Sequence, residues 1–224
     1  MPSSSVPGPF GIAFDALPDA IPIFPLPGAL LLPNGRLPLN IFEPRYLAMI
    51  FDALGQSRLI GMVQTEAEHG GLVPEDAPLF SIGCAGRIVA FNETRDGRLL
   101  ITLEGVCRYR IDAEVEGKNG YRRVRPDFSA FHADMDEGPA GLDRDSFLAL
   151  LSRYFDAKQL KVDWASLEQT EDRLLIATLA MMCPFGLPEK QALLEAPDFA
   201  AITGVMEQLM TMAIQEAGPS GSTH

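Results

Sequence analysis

IPIFPLPGALLLPNGRLPLNIFEPRYLAMIFDAL, residues 21–54, sets apolar runs, turn residues and a helix start in an order that decides how the chain folds. From Ile21 to Leu26 apolar residues alternate with proline, which cannot donate to a sheet ladder, so an edge strand or strand terminus is expected there. Pro27 and Gly28 turn the chain. Leu30–Leu32 and Leu37–Ile41 read as extended runs, separated by Pro33, Asn34 and Gly35, because Asn and Gly tolerate positive φ. Pro44 suits the first position of a helix, where a missing N–H costs nothing, and Leu47, Ile50, Phe51 and Leu54 recur at helical spacing. A helix from Pro44 to Leu54 follows, with Gly55 as its stop.

Downstream, Arg58–Gln64 is a compact apolar run suited to a buried strand, followed by a surface loop through Gly70, Gly71 and Pro74–Pro78 that carries His69. Between Phe80 and Phe128 the pattern is β. Gly83 and Gly86 break the run Ile82–Phe91 as a bulge or bent strand would, and Asp96-Gly97 is a hairpin turn. Leu99, Ile101 and Leu103, then Cys107, Tyr109, Ile111, Ala113 and Val115, form apolar faces, with Arg108, Arg110, Asp112 and Glu114 on the opposite, polar face. Gly105 is read as the junction between these strands. Lys118-Asn119-Gly120 is a second turn, and Tyr121–Asp127 the last strand.

Ser129–Gly141 has the composition of a solvated linker, with Asp134, Asp136 and Glu137 among glycines and a proline. Beyond it the period becomes helical: Phe147, Leu150, Leu151 and Tyr154 make one stripe, and Leu174, Leu175, Thr178, Leu179 and Met182 another. Asp143 or Asp145 can cap the first helix, Thr170 the second and Asp198 the fourth, while Pro188 and Glu189 open the third. Strands first and helices after give an α+β architecture. The expected organisation is a tail over 1–18, a β-rich domain over 19–128, a linker over 129–141, a helical subdomain over 142–217 and a tail over 218–224.

Composition narrows the partners. A net charge of −12 over 224 residues repels phosphate backbones and anionic lipid, so nucleic acid and membranes are disfavoured and proteins or small molecules are expected instead. The first seventeen residues hold no Lys or Arg and are broken by Pro2, Pro7 and Pro9, unlike a secretory leader. Leu174–Cys183 falls short of the ~20 residues that span a bilayer. A cytoplasmic protein is expected, with Cys84, Cys107 and Cys183 as buried thiols rather than a disulfide framework.

Pro22, Phe24, Pro25 and Leu26, then Leu31-Leu32-Pro33, Leu37-Pro38-Leu39 and Phe42-Glu43-Pro44-Arg45-Tyr46 with Met49 and Ile50, resemble the N-terminal substrate-recognition domain of Lon proteases. CPFGLPEKQALLE, Cys183–Glu195, extends the resemblance, which covers Ala20–Ala217. It implies a twisted, bent β-sheet or pseudo-barrel domain of PUA-like type followed by a bundle of about four helices. It also implies recognition of unfolded or client proteins, here by a recognition module standing alone, with a protease or ATPase in trans as a further candidate partner.

Phe42, Arg45, Tyr46 and Met49 are the candidate protein-binding residues. Each also has a structural reading: Arg45 can pair with Glu43 or a loop carbonyl, and the apolar three have the spacing to fasten the helix to the sheet. No catalytic residue, metal ligand or cofactor is expected. Lys118, Lys158, Lys161 and Lys190 sit in no context matching a Ser–Lys peptidase, and His69, His132 and His224 have no natural nucleophile. The phosphate-binding run GxxxxGK[ST] is absent, as are CxxC and HExxH. Two other readings stand beside protein recognition. One is an enzyme with an unrecognised site; the other is RNA binding by a stripe of Arg108, Arg110, Arg122, Arg123 and Arg125, whose neighbours Asp112, Glu114 and Glu116 can instead pair with it across strands.

Overall fold

The computed structural model describes residues 11–69, 71–136 and 141–217. Its strands are β1 (Ile21–Pro25), β2 (Arg36–Ile41), β3 (Leu59–Thr65), β4 (Leu79–Glu93), β5 (Leu99–Lys118) and β6 (Tyr121–Asp127), with α1 (Pro44–Leu54) between β2 and β3. Five helices follow: α2 (Arg144–Lys158), α3 (Trp164–Gln169), α4 (Asp172–Met182), α5 (Leu187–Glu195) and α6 (Phe199–Ala217). The α+β class and the bent sheet are as expected; the sheet is mixed, with β1 parallel to β3, and is not a regular barrel. The sheet is an irregular ring in the order β2-β5-β4-β3-β1-β6, with β6 returning to β5.

The long strand β5 makes that closure possible. Residues 99–104 pair with β2, 99–110 with β4 and 110–118 with β6, so one strand serves both the edge and the seam. Register shifts at Ala85/Gly86 and Ile88/Ala90 bend the β4–β5 pair, as the glycines predicted. The turn after β5 has Asn119 and Gly120 at φ 49° and 82°, the twist that a two-residue hairpin requires.

Several local expectations need correction. β1 lies between β6 and β3 rather than at the edge of the sheet order, and Pro25 ends it: Ile21 and Pro22 pair with β6, whereas Ile23–Pro25 pair with β3 in parallel. Each half of β1 thus has one open side, which is how the prolines are accommodated. Gly105 separates no strands. It lies inside β5, donates to Gly35 O and accepts from Asn34 N, both at 2.9 Å. The segment carrying the buried Leu30–Leu32 is thereby laid directly onto the sheet. Ser129–Met135 is a 3₁₀ turn with Phe131 buried, not a solvated linker, and Phe14 of the expected tail stacks on His132 with ring centres 4.3 Å apart. The remaining linker residues 137–140 and tail residues 1–10 and 218–224 lie outside the described residues.

The helical layer has one helix more than expected, since α3 was not anticipated. Asp143 caps α2 by accepting from Ser146 N, and Asp198 accepts from Ala201 N. Thr170 does not cap α4. Its hydroxyl donates back to Ser166 O at 2.7 Å, and Glu171 accepts from Leu174 N instead.

Three polar joints fix helices to the strands and their connections. Gln64 donates to Gln191 Oε1 at 2.9 Å inside the protein, and Lys190 donates to Gly28 O at 2.7 Å. The third is Arg108, assigned by alternation to the polar face and yet fully buried. Around Arg108 that face of β5 is covered by protein, whereas Arg110, Asp112 and Glu114 further along it are exposed. Arg108 forms a bidentate pair with Asp134 (Nε–Oδ2 2.9 Å, Nη2–Oδ1 2.6 Å), donates to Leu194 O and Ala196 O at the end of α5, and lies over the Phe131 ring. A helix C-terminus concentrates partial negative charge, so a guanidinium is the fitting group there.

Burial of tyrosines gives the fold an alkaline limit. Burial pushes Tyr46, Tyr121 and Tyr154 up to about 12, with the hydrogen bond that Tyr121 donates to Asp52 adding to its rise. Because the same phenols ionise near ~10 in an unfolded chain, they bind protons more tightly when folded; their stabilisation is complete below pH ~10 and is lost as pH rises to about 12. Urea midpoints measured between pH 9 and 12 should fall steadily. A flat profile would show that these phenols are not held in the protonated form.

Candidate functional site

The four residues expected to bind protein divide sharply. Tyr46 and Met49 are buried, Tyr46 edge-on to Phe24 with ring centres 4.3 Å apart, so neither can meet a partner. They fasten α1 to the sheet. Arg45 makes both of its expected contacts: Nε donates to Glu43 Oε2 at 3.0 Å and Nη2 to Val73 O at 2.6 Å, tying the 66–78 loop to α1. Phe42 alone of the four is largely exposed, at 53%.

Phe42 belongs to a larger surface that the sequence did not show. Ile41 pairs with Leu99, so Phe42 falls opposite Arg98, whose guanidinium lies 5.5 Å from the ring centre. Along the strands, Ile41, Leu99, Ile101 and Leu103 point into the core, which leaves Phe42, Asn40, Pro38, Leu100 and Thr102 on the outer face. Two cross-strand rows result: Asn40–Leu100–Asn92 and Pro38–Thr102–Ala90. These rows, with Leu39, Phe91 and Ile101, line an open trough of about 420 Å³. Leu100 is 44% exposed; Phe91 pairs with Ile101 and so takes the other face of β4, where it is 56% exposed. The clue in the sequence was the pair Leu99-Leu100, which places a leucine on each face of one strand and so breaks the apolar-in, polar-out alternation.

Other candidate chemistry is accounted for structurally. The arginine stripe is largely neutralised across strands: Arg122 pairs with Glu114 and donates to Ala77 O, Arg125 pairs with Asp112, Arg123 donates to Glu116 O, and Arg108 is interior. Burial pushes the thiols of Cys84, Cys107 and Cys183 up, Cys183 to about 12, so none supplies a thiolate near neutral pH. Among the described residues there is no group of three or more His, Cys, Asp or Glu placed to hold a metal, and no helix long and apolar enough to cross a membrane.

Comparison with known proteins places this architecture. Residues 20–201 match the ATP-dependent protease La (LON) substrate-binding domain. The chain belongs to the LON substrate-binding domain family. Among curated relatives of this LON domain, Lon protease 2 of Myxococcus xanthus is 30% identical over 128 residues, 57% of this chain and 15% of that protein. The Lon protease of Parabacteroides distasonis is 33% identical over 98 residues, 44% of this chain and 12% of that protein. The chain therefore matches only a small part of these relatives' length. The LON fold recurs in a Lon N-terminal domain protein from Xanthomonas campestris, with a TM-score of 0.59 and 21% identity over 86% of this chain and 97% of that one. It recurs again in the N-terminal domain of Mycobacterium avium complex Lon protease, with a TM-score of 0.53 and 16% identity over 88% and 98%. A substrate-recognition module is the coarse assignment that the family supports.

Proposed function

We propose that this LON domain is a non-catalytic, cytoplasmic module that recognises unfolded or damaged client proteins in protein quality control and presents them to a protease or ATPase acting in trans. The observation that carries the reading is the exposed apolar surface on the outer face of β2 and β5, where Phe42 and Leu100 stand in water although the core beneath them is complete. Large exposed apolar side chains grouped on one face mark an interaction surface. Family membership supplies the class of partner.

The test uses reduced, carboxymethylated α-lactalbumin as a permanently unfolded probe, with the native protein as its folded control. Fluorescence anisotropy should detect the unfolded form only. Phe42→Ser should weaken that binding tenfold or more, since withdrawing a buried Phe from an interface costs about 1.5–3 kcal/mol, and should leave melting unchanged because the ring is already exposed. No binding of the unfolded probe by the wild-type chain would contradict the reading.

A further inference from the structure

We infer that the trough across β2, β5 and β4 takes an extended, uncharged apolar segment of a client chain, gripped through its main chain by the carboxamides of Asn40 and Asn92. This rests on the client-recognition reading above and specifies what that surface accepts.

The lining excludes charge. None of the nine residues that form the trough is charged, in a chain of which 21% is Asp, Glu, Lys or Arg. Of the charges beside it, Arg36 pairs with Glu104 and Arg98 with Asp96, each at 2.9 Å, and Arg98 also covers Phe42. A lysine or glutamate side chain entering the trough would meet no opposite charge in its lining.

The lining is instead built for peptide groups. Asn40 and Asn92 stand in one cross-strand row on either side of Leu100. Each carboxamide offers two donors and an acceptor, and neither has a hydrogen-bond partner among the described residues. Two strands apart means about 10 Å, the distance an extended chain covers in about three residues. The two amides can therefore hold main-chain groups of one segment crossing the strands, while Leu100 and Phe42 receive its apolar side chains. Recognition of this kind reads extended backbone and absence of charge rather than a particular sequence.

Addition of the segment as a further strand beside β2 is disfavoured. Pro38 sits in the middle of that edge strand and lacks the N–H a continuous ladder needs.

The probe is a fluorescein-labelled ten-residue peptide alternating Ser with Leu, blocked at both ends, alongside two peptides in which Lys or Glu replaces each Ser. Wild-type chain should bind the uncharged peptide at least tenfold more tightly than either charged one. Leu100→Asp should weaken binding tenfold or more, and Asn40→Ala with Asn92→Ala about threefold to tenfold, each with melting within two or so degrees of wild type; the Asn pair serves if Leu100→Asp does not fold. Equal binding of charged and uncharged peptides would overturn the inference, as would wild-type affinity in both variants. So would a dimer in sedimentation that Leu100→Asp dissociates, because the occupant would then be a second copy. If unfolded α-lactalbumin binds but the uncharged peptide does not, the trough assignment falls and client recognition stands; if wild-type chain binds neither, client recognition falls with it.

Discussion

Arg108→Ala is expected to destabilise the protein by about 3–5 kcal/mol, the cost of leaving one partner of a buried ion pair uncompensated. The side chain is 0% exposed, and its loss would strand the Asp134 carboxylate, itself only 7% exposed, together with the Leu194 and Ala196 carbonyls at the end of α5. For a chain of this length that corresponds to a fall in melting temperature of roughly 6–20 °C, read by circular dichroism. Arg108→Lys should fall between, since an ammonium keeps the charge but cannot reproduce the bidentate fork. Combining Arg108→Met with Asp134→Leu should recover part of the loss, because replacing both partners removes the stranded charge but leaves the backbone N–H of residue 108 and the Leu194 and Ala196 carbonyls without these partners. A single Arg108→Ala that melted like wild type would show that the joint between sheet and helices does not depend on this residue.

Gly105→Ala should be nearly as damaging, for a steric reason. A Cβ at this position would collide with the carbonyl of Leu32 and press on Pro33 N, and those are backbone atoms that cannot rotate away. Relief requires lifting the 30–35 segment off β5, breaking its 2.9 Å hydrogen bonds to Gly105 and opening the core around Leu30, Leu31 and Leu32. Overpacking of this kind costs typically about 1–3 kcal/mol, and the upper end is expected here because the obstruction is main chain. Gly204→Ala is the matched control: in the α6 interior with open space around it, the same change should stabilise by roughly 0.5–1 kcal/mol. Urea unfolding of both variants measures the contrast. Equal stability for Gly105→Ala and wild type would mean the segment does not lie on β5 as described.

What the sequence reveals and conceals in this protein follows from how local each signal is. Helix α1 and strand β6 were legible to the residue because their limits are set by neighbours in sequence: Pro44 at the helix start, Gly55 at its end, and Asn119-Gly120 ahead of Tyr121. Arg108 was placed on the correct side of β5 but in the wrong environment. Alternation tells which face a side chain takes, not whether water or another layer covers it. Asp134 was misread for the complementary reason, since an acidic, glycine-bearing stretch looks solvated until a buried guanidinium is known to face it. Core packing was legible for Tyr46 and Met49, but the same reading was given to Phe42, which is exposed, and the rest of the trough was hidden. Asn40, Leu100 and Asn92 come together only through the pairing of three strands, which no single stretch of sequence announces.

Hydrogen–deuterium exchange of the chain with and without an excess of reduced, carboxymethylated α-lactalbumin tests client recognition at this surface most directly. Slowed exchange over residues 36–42, 90–93 and 98–102, with the remainder unchanged, is the expected result. Protection confined to α4–α6, or none anywhere, would contradict it.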